Sequence, residues 1–407
     1  MEIQFLGGAS QVGRLGMVLK RGPLTLLFDY GMLPSRPPQY PMEAPPVDAL
    51  LLSHAHLDHS GMVPWLTARY DLEVYGSPPT LEVSELLLED SIKVADTEGF
   101  QCAFDDGDIR RAKTTFRPFD FGDVLDFGGI EVEPHSAGHI PGATMYEANL
   151  EKTVLFSGDI HTLTTDLVLG AKPVKCDILI LESTYAGRQH PPREKVQQEF
   201  IKKVREVNRR GGLAIVPAFA VGRTQDVLLT LARERFNIWL DGMGKTVNKI
   251  YMRHQGYVKS TGRLRDAMNA TRMIGSRQGI DMAMRGDVVV TTSGMLDGGP
   301  VLNFIEACRD DPKSAILLTG YQVEGTNGRR LVEEGVIDLR GVEVRPRCEV
   351  QKFDFSAHAG HNDLVKFVEG CDPEKVVLMH GDNRQLLADA LEGREVIMPK
   401  EGEWVTI

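Results

Sequence analysis

The stretch Leu50-Leu51-Leu52-Ser53-His54-Ala55-His56-Leu57-Asp58-His59-Ser60-Gly61 constrains this chain more than any other. An apolar run that reads as a buried strand ends in four side chains of metal-ligand type, His54, His56, Asp58 and His59. Side chains on an extended strand alternate with period two, so His54 and His56 are expected on one side. Asp58 and His59 are then expected on the following turn, where the chain curls back toward the same point. Three imidazoles and a carboxylate suit zinc, which takes His nitrogen and Asp oxygen and needs no thiolate. Chance is a poor rival: the chain has only 11 histidines in 407 residues, and three fall here.

The same arrangement recurs along the chain. Leu24 to Phe28 ends in Asp29, Thr153 to Phe156 leads to Asp159, and Ile178 to Leu181 ends in Glu182. Val350 to Phe355 leads to His358, and Lys375 to Met379 ends in His380. A small-residue loop, Ser136 to Ala143, presents His139. Singly, Asp159 or Glu182 reads as a turn former. Together they read as strand ends converging on one site. His135, His161, His190, His254 and His361 lack this setting and are read as structural or surface residues.

A chain of this length exceeds the usual single domain, so two domains or one domain with a large insertion is expected. Residues 1–187 read as strands punctuated by turns, with helices over Met62–Tyr70 and Thr80–Asp96 and a proline-rich irregular loop from Pro34 to Pro46. Residues 188–345 differ, with a basic helix over Arg193–Arg210 and then strands alternating with helices. That pattern argues a parallel α/β domain with binding loops at the carboxyl ends of strands. Residues 346–407 revert to the first texture, so 188–345 is expected to be an insertion.

Charge follows the same division. Residues 188–345 hold 26 Lys and Arg against 18 Asp and Glu, leaving −19 for the rest of a chain whose net charge is −11. A basic segment facing a polyanion, with carboxylates supplied elsewhere to metals, accounts for this asymmetry. Gly- and Ser/Thr-rich loops after the inserted strands offer N–H groups and hydroxyls to phosphates. No Walker or Rossmann fingerprint occurs, so ATP or NAD dependence has no support. No apolar run reaches the roughly 18 residues of a membrane span. The start shows no secretory signal, and the five dispersed cysteines never form a CxxC. A reduced, cytoplasmic setting with no membrane partner is expected.

Ser53-His54-Ala55-His56-Leu57-Asp58-His59 resembles the HxHxDH signature of the metallo-β-lactamase fold, and Asp29, His139 and Asp159 match that fold's other motifs. Glu182, His358 and His380 resemble motifs A, B and C of the β-CASP nucleases. Pro217 to Arg223, Thr292 to Leu296 and Gly320 to Thr326 resemble the branch related to the cleavage and polyadenylation specificity factor, in its archaeal and bacterial members, more than ribonuclease J. The resemblance covers nearly the whole chain. It implies an α/β fold: an αββα sandwich with an inserted β-CASP domain. Some archaeal members carry N-terminal KH modules; without them, RNA grip is expected from the cleft alone.

What the resemblance implies for the site is specific. His54, His56 and His139 would hold one zinc, Asp58, His59 and His380 a second, and Asp159 would bridge the two Zn2+. Asp29 would orient a ligand histidine. Asp58, His358 and Glu182 would carry the chemistry, with His358 giving a proton to the departing 3′ oxygen and Glu182 orienting it. Arg223, Lys245, Ser293, Tyr321 and Gln322 are weaker expectations for contacts with single-stranded RNA. The activity implied is a ribonuclease of RNA processing or decay, endonuclease favoured over 5′-to-3′ exonuclease, with a homodimer left open. A small-molecule metallohydrolase and a non-catalytic RNA-binding subunit are the rival readings. The basic insertion and His358 count against the first, and the filled ligand positions against the second.

Overall fold

Alternation along the first strands decides how the first unit is layered. Met17 and Leu19 face one core while Val18 between them faces another, and Leu26 and Phe28 split from Leu27 in the same way. The strands therefore belong to a sheet buried on both faces. The computed structural model describes residues 1–407 and divides them into two compact units. The first comprises Met1–Thr164, Leu169–Gln189 and His358–Ile407, and the second Thr165–Val168 and His190–Ala357.

Two seven-stranded sheets make the first unit. In spatial order one holds Trp404–Thr406, Glu2–Gly7, Gly16–Arg21, Leu24–Phe28, Ala49–Leu51, Glu73–Gly76 and Phe116–Pro118. The other holds Glu395–Ile397, Lys375–Met379, Ile178–Glu182, Thr153–Phe156, Thr144–Asn149, Glu131–Ser136 and Leu125–Asp126. The sheets share one core, in which Ile3, Phe5, Leu19 and Phe28 from the first meet Val132, Tyr146, Phe156 and Ile178 from the second. The Phe28 ring lies 5.9 Å from Tyr146 and 5.0 Å from Phe156. Helices Val63–Thr67, Pro78–Glu98 and Asp106–Thr115 cover the outer face of the first sheet through Val63, Leu66, Leu81 and Ala112. The longest, Pro78–Glu98, is capped by Ser77 and stopped by Gly99 in the left-handed conformation. Helix His361–Cys371 buries Leu364, Phe367 and Val368.

The second unit is a six-stranded, wholly parallel sheet in the order Thr271–Met273, Ile238–Leu240, Val288–Thr291, Ala214–Pro217, Ala315–Leu318 and Glu349–Lys352. Its central strands are buried at every residue, as strands covered on both faces must be. Two particulars depart from the sequence reading. The strand Glu349–Lys352, read as part of the return, is the edge of this parallel sheet and pairs with Ala315–Leu318, so the chain rejoins the first unit at His358 and not at 346. Thr165–Val168, within the first stretch, also belong to the second unit. There Asp166 meets Gln197, Arg233 and Arg263, and Leu167 O accepts from Lys259 N at 2.8 Å.

Candidate metal centre

Strand order gathers the site at one edge of each sheet of the first unit. Leu24–Phe28 and Ala49–Leu51 are parallel neighbours, so Asp29 and the segment carrying His54 leave the same end. Thr153–Phe156, Ile178–Glu182 and Lys375–Met379 are likewise parallel neighbours, which puts Asp159, Glu182 and His380 side by side. Ligand sites of α/β sheets lie at carboxyl ends of strands for this reason. His139 comes from the loop between Glu131–Ser136 and Thr144–Asn149. His358 is hung from the same edge by its neighbour, Ala359 N donating to Ile160 O at 2.8 Å.

The local route differs from the expected one. The strand stops at Leu51, so His54 and His56 sit on the bend beyond it, and Asp58 and His59 lie on a one-turn helix, Leu57–Ser60. That turn is pressed against Gly31, where an added Cβ would fall 1.8 Å from Asp58 O. Tyr30 N donates to His59 O and Leu15 N to Asp58 O, each at 2.8 Å.

The expected ligands meet. His54 Nε2 is 3.0 Å from His56 Nδ1, and His139 Nε2 is 3.2 Å from the same atom. Asp58, His59 and His380 form a second group, with His380 Nε2 3.7 Å and His59 Nε2 3.9 Å from Asp58 Oδ2. Asp159 lies between them: Oδ2 is 3.7 Å from His54 Nε2 and 3.4 Å from His59 Nε2, and Oδ1 is 3.7 Å from His380 Nε2. Donor atoms bonded to one ion at 2.0–2.1 Å stand about 3.3 Å apart in a tetrahedron, close to the first group's spacing. His59 Nε2, Asp159 Oδ1 and both ring nitrogens of His380 are buried with no hydrogen-bond partner. Orphaned polar atoms of both signs, turned toward each other at more than hydrogen-bond length, are what a site for divalent cations requires.

The surroundings fix these rings. Asp29 Oδ1 accepts from Ser53 N at 2.6 Å, and Oδ2 accepts from Ser53 Oγ and His59 Nδ1, each at 2.7 Å. The proton of His59 is thereby held on Nδ1, leaving Nε2 for the cluster. Ser53 Oγ also lies 3.1 Å from His54 Nδ1, so one hydroxyl touches a ring of each group. Asp29 and His380 both adopt positive φ, +55° and +52°, a conformation that costs a non-glycine residue about 1 kcal/mol or more. Glu182 is buried; Oε1 accepts from Ile160 N and Oε2 from Thr184 N, each at 3.0 Å, and His358 Nδ1 is 3.2 Å from Oε1.

Electrostatics divide the histidines. Burial and the charge of His59 hold His54 well below its ordinary pKa, and burial takes His56 down to about 4 against the pull of Asp58. Burial opposes charge on His59 too, but Asp159, Asp29 and Asp58 outweigh it and raise its pKa well above the usual value. For His358 burial is likewise overcome, by Glu182 and Asp159, and the pKa rises. Asp159 is pulled well below the carboxylate range by His59, His380 and His358 despite burial.

The other expected contacts are placed in the second unit, where most are engaged in the fold. Lys245 Nζ donates to Asp241 and Ile274 O, Ser293 Oγ to Gly298 O, and Arg223 to Thr319 O. Gln322 is buried, and its Nε2 donates to Gly294 O, so its amide nitrogen is engaged in holding loops together. Tyr321 is exposed. Ser53 escaped the sequence reading, although a hydroxyl directly before the first histidine was its signal. Glu133, His135 and Glu147 also come within ligand distance, but His135 Nε2 is already 2.8 Å from Glu147 as a half-buried cross-strand ion pair.

Comparison with known proteins agrees with this geometry. The metallo-beta-lactamase superfamily matches residues 17–200, the beta-CASP domain 225–331, and a Zn-dependent metallo-hydrolase RNA specificity domain 343–399. A protein described as probable RNase MJ4 of Methanocaldococcus jannaschii is 36% identical over 100% of both chains. RNase aCSPSF2 of Saccharolobus solfataricus is 32% identical over 100% of this chain and 85% of its own. Ribonuclease TTHA0252 of Thermus thermophilus is 31% identical over 100% of both. A crystal structure of a protein of unknown function from Enterococcus faecalis shares the fold, with a TM-score of 0.65 at 14% identity over 100% of this chain and 99% of that one.

Proposed function

The chain belongs to the metallo-β-lactamase superfamily and, within it, to the beta-CASP ribonuclease family, and from that premise we propose that it is a two-zinc endoribonuclease leaving 5′-phosphate and 3′-hydroxyl ends. The observation that carries the reading is the pair of ligand groups sharing Asp159, with the His358–Glu182 pair beside them. His54, His56 and His139 would hold one ion and Asp58, His59 and His380 the other, with Asp159 within reach of both groups. When bound, such ions would supply Lewis acidity to water and to the scissile phosphate.

The protein's own part is positioning and proton transfer. Asp29 and Ser53 keep the ligand rings in one tautomer and orientation. Asp58 is the carboxylate assigned to take the proton of the attacking water. Glu182 accepts the Nδ1 proton of His358 and stabilises its charged form, so the Nε2 proton is the one given to the 3′ oxygen as the phosphorus–oxygen bond breaks. The raised pKa of His358 keeps that donor protonated closer to neutral pH than a free imidazole. The basic surplus of residues 188–345 is suited to an RNA backbone.

The test uses two RNAs labelled at the 5′ end, one with a 5′ monophosphate and one with a 5′ hydroxyl and an internal hairpin. Both are given to the wild type, His358→Ala and Asp159→Ala. Internal fragments from both RNAs, lost in either variant, are expected. Mononucleotides from the monophosphate RNA alone would replace the endonuclease with a 5′-to-3′ exonuclease. Intact RNA beside stoichiometric zinc would end the ribonuclease reading.

A further inference from the structure

Only three aromatic side chains of the chain are exposed, Phe219 at 38%, Tyr321 at 37% and Trp404 at 42%. Trp404 lies on a terminal edge strand. The other two stand just beyond Ala214–Pro217 and Ala315–Leu318, parallel neighbours that pair through Ala214–Ala315 and Ile215–Ile316. Both residues keep more than a third of their surface in water at the carboxyl ends of parallel strands, where α/β sheets bind ligands.

Their surroundings are built to hold them there. Phe219 O accepts from Thr224 N at 3.0 Å and from Thr224 Oγ1 at 2.7 Å, which fixes the loop that carries the ring. On its flanks the ring meets glycine: a Cβ at Gly294 would sit 3.2 Å from it and one at Gly320 3.7 Å. Gln322 Nε2 donates to Gly294 O and to Tyr321 O, each at 3.2 Å, so one buried amide ties the loops after Val288–Thr291 and Ala315–Leu318 together. Cations flank the pair. Lys352 Nζ is 5.6 Å from the Tyr321 ring centre, and an Arg223 nitrogen lies 3.9 Å from the Cβ position at Gly320.

Rigid ring faces beside positive charge match the flat face of an unpaired base next to its phosphate. An A-form duplex keeps its base faces stacked internally and cannot use them. We infer that Phe219 and Tyr321 form a stacking subsite on the second unit for unpaired nucleobases of single-stranded RNA. The inference rests on the ribonuclease reading and adds what that reading lacks, a part of the protein that engages bases without reading their sequence. Arg223 and Lys352 serve the adjoining phosphates.

The test is a double-mutant cycle between protein and RNA. Binding of a 12-nucleotide phosphorothioate oligoadenylate, which keeps its charge but resists cleavage, is compared with that of the same oligomer carrying one abasic site at each position in turn. Wild type, Phe219→Leu and Tyr321→Leu are measured, with Phe219→Tyr and Tyr321→Phe as ring-retaining controls. For wild type, at least one abasic position is expected to weaken binding roughly 5- to 150-fold. The leucine variants should lose affinity for the intact oligomer by a similar factor and lose nothing further at that position, while the controls bind as wild type. Additive losses, or no sensitive position, would overturn the subsite while cleavage of RNA by the wild type left the ribonuclease reading standing. Absence of both RNA cleavage and RNA binding in the wild type would overturn both.

Discussion

Asp29 belongs to neither candidate ligand group, yet its carboxylate decides which nitrogen of His59 is offered and, through Ser53, steadies His54 as well. Asp29→Asn keeps the shape and loses the charge that fixes the His59 tautomer. Zinc affinity, measured by competition with a chromophoric chelator, is expected to fall roughly 10- to 100-fold. Ser53→Ala should fall within the same range, because the hydroxyl joins Asp29 to both rings. Affinity unchanged in both variants would reduce the pair to packing. Most of the candidate ligands could be read from the sequence because they follow apolar strands whose ends gather where the sheet is parallel, whereas His139 comes from a loop between antiparallel strands. Ser53 was hidden because a serine in a turn is ordinary. Gln322 was expected in an open loop, but the glycine-rich loop closes over it and leaves it buried, which a local polar sequence does not reveal.

Among larger elements, the short excursion Thr165–Val168 has a charge network out of proportion to its length. Burial pushes the Asp166 carboxyl up, but hydrogen bonds from Arg233 and Gln197 and the charge of Arg263 win and hold it below the usual range. A depressed carboxylate stabilises above its unfolded pKa near 4, and that contribution is lost as pH falls through the lower folded value. Asp166→Asn is therefore expected to cost about 1–2 kcal/mol at pH 7, moderated by the half-exposed arginines. In denaturant titrations the gap between variant and wild type should close as pH falls below about 4. A gap that stayed constant with pH would show that the carboxylate's charge is not what matters. Nothing in the sequence announced this excursion. Nor did it assign Glu349–Lys352 to its sheet, since parallel pairing joins distant segments and leaves no local mark. The helices and central strands were legible because burial imposes a period on each, as in Arg193–Arg209 with Val196, Phe200, Val204 and Val207 inward.

For the molecule as a whole, divalent ions at the centre would supply stability as well as chemistry. Without them, His59, Asp159 and His380 face one another with orphaned atoms in a buried place. Ligand that binds only the folded state at a thousandfold excess over its Kd adds about 4 kcal/mol. Treatment with a chelator should thus lower the thermal midpoint of the first unit by roughly 8–16 °C while leaving the transition of the second in place. Scanning calorimetry with and without chelator checks this, and an unmoved profile would mean that the centre holds no ion in solution. The excursion has a last consequence, for recombination. Because Asp166 is encoded ahead of the main inserted segment, exchanging residues 190–357 between relatives delivers a sheet whose partner loop remains the recipient's. Such a chimera inherits a mismatch that no choice of crossover at the two obvious junctions can repair, and gene-shuffling libraries of this family should recover function chiefly when 165–168 travels with the insert.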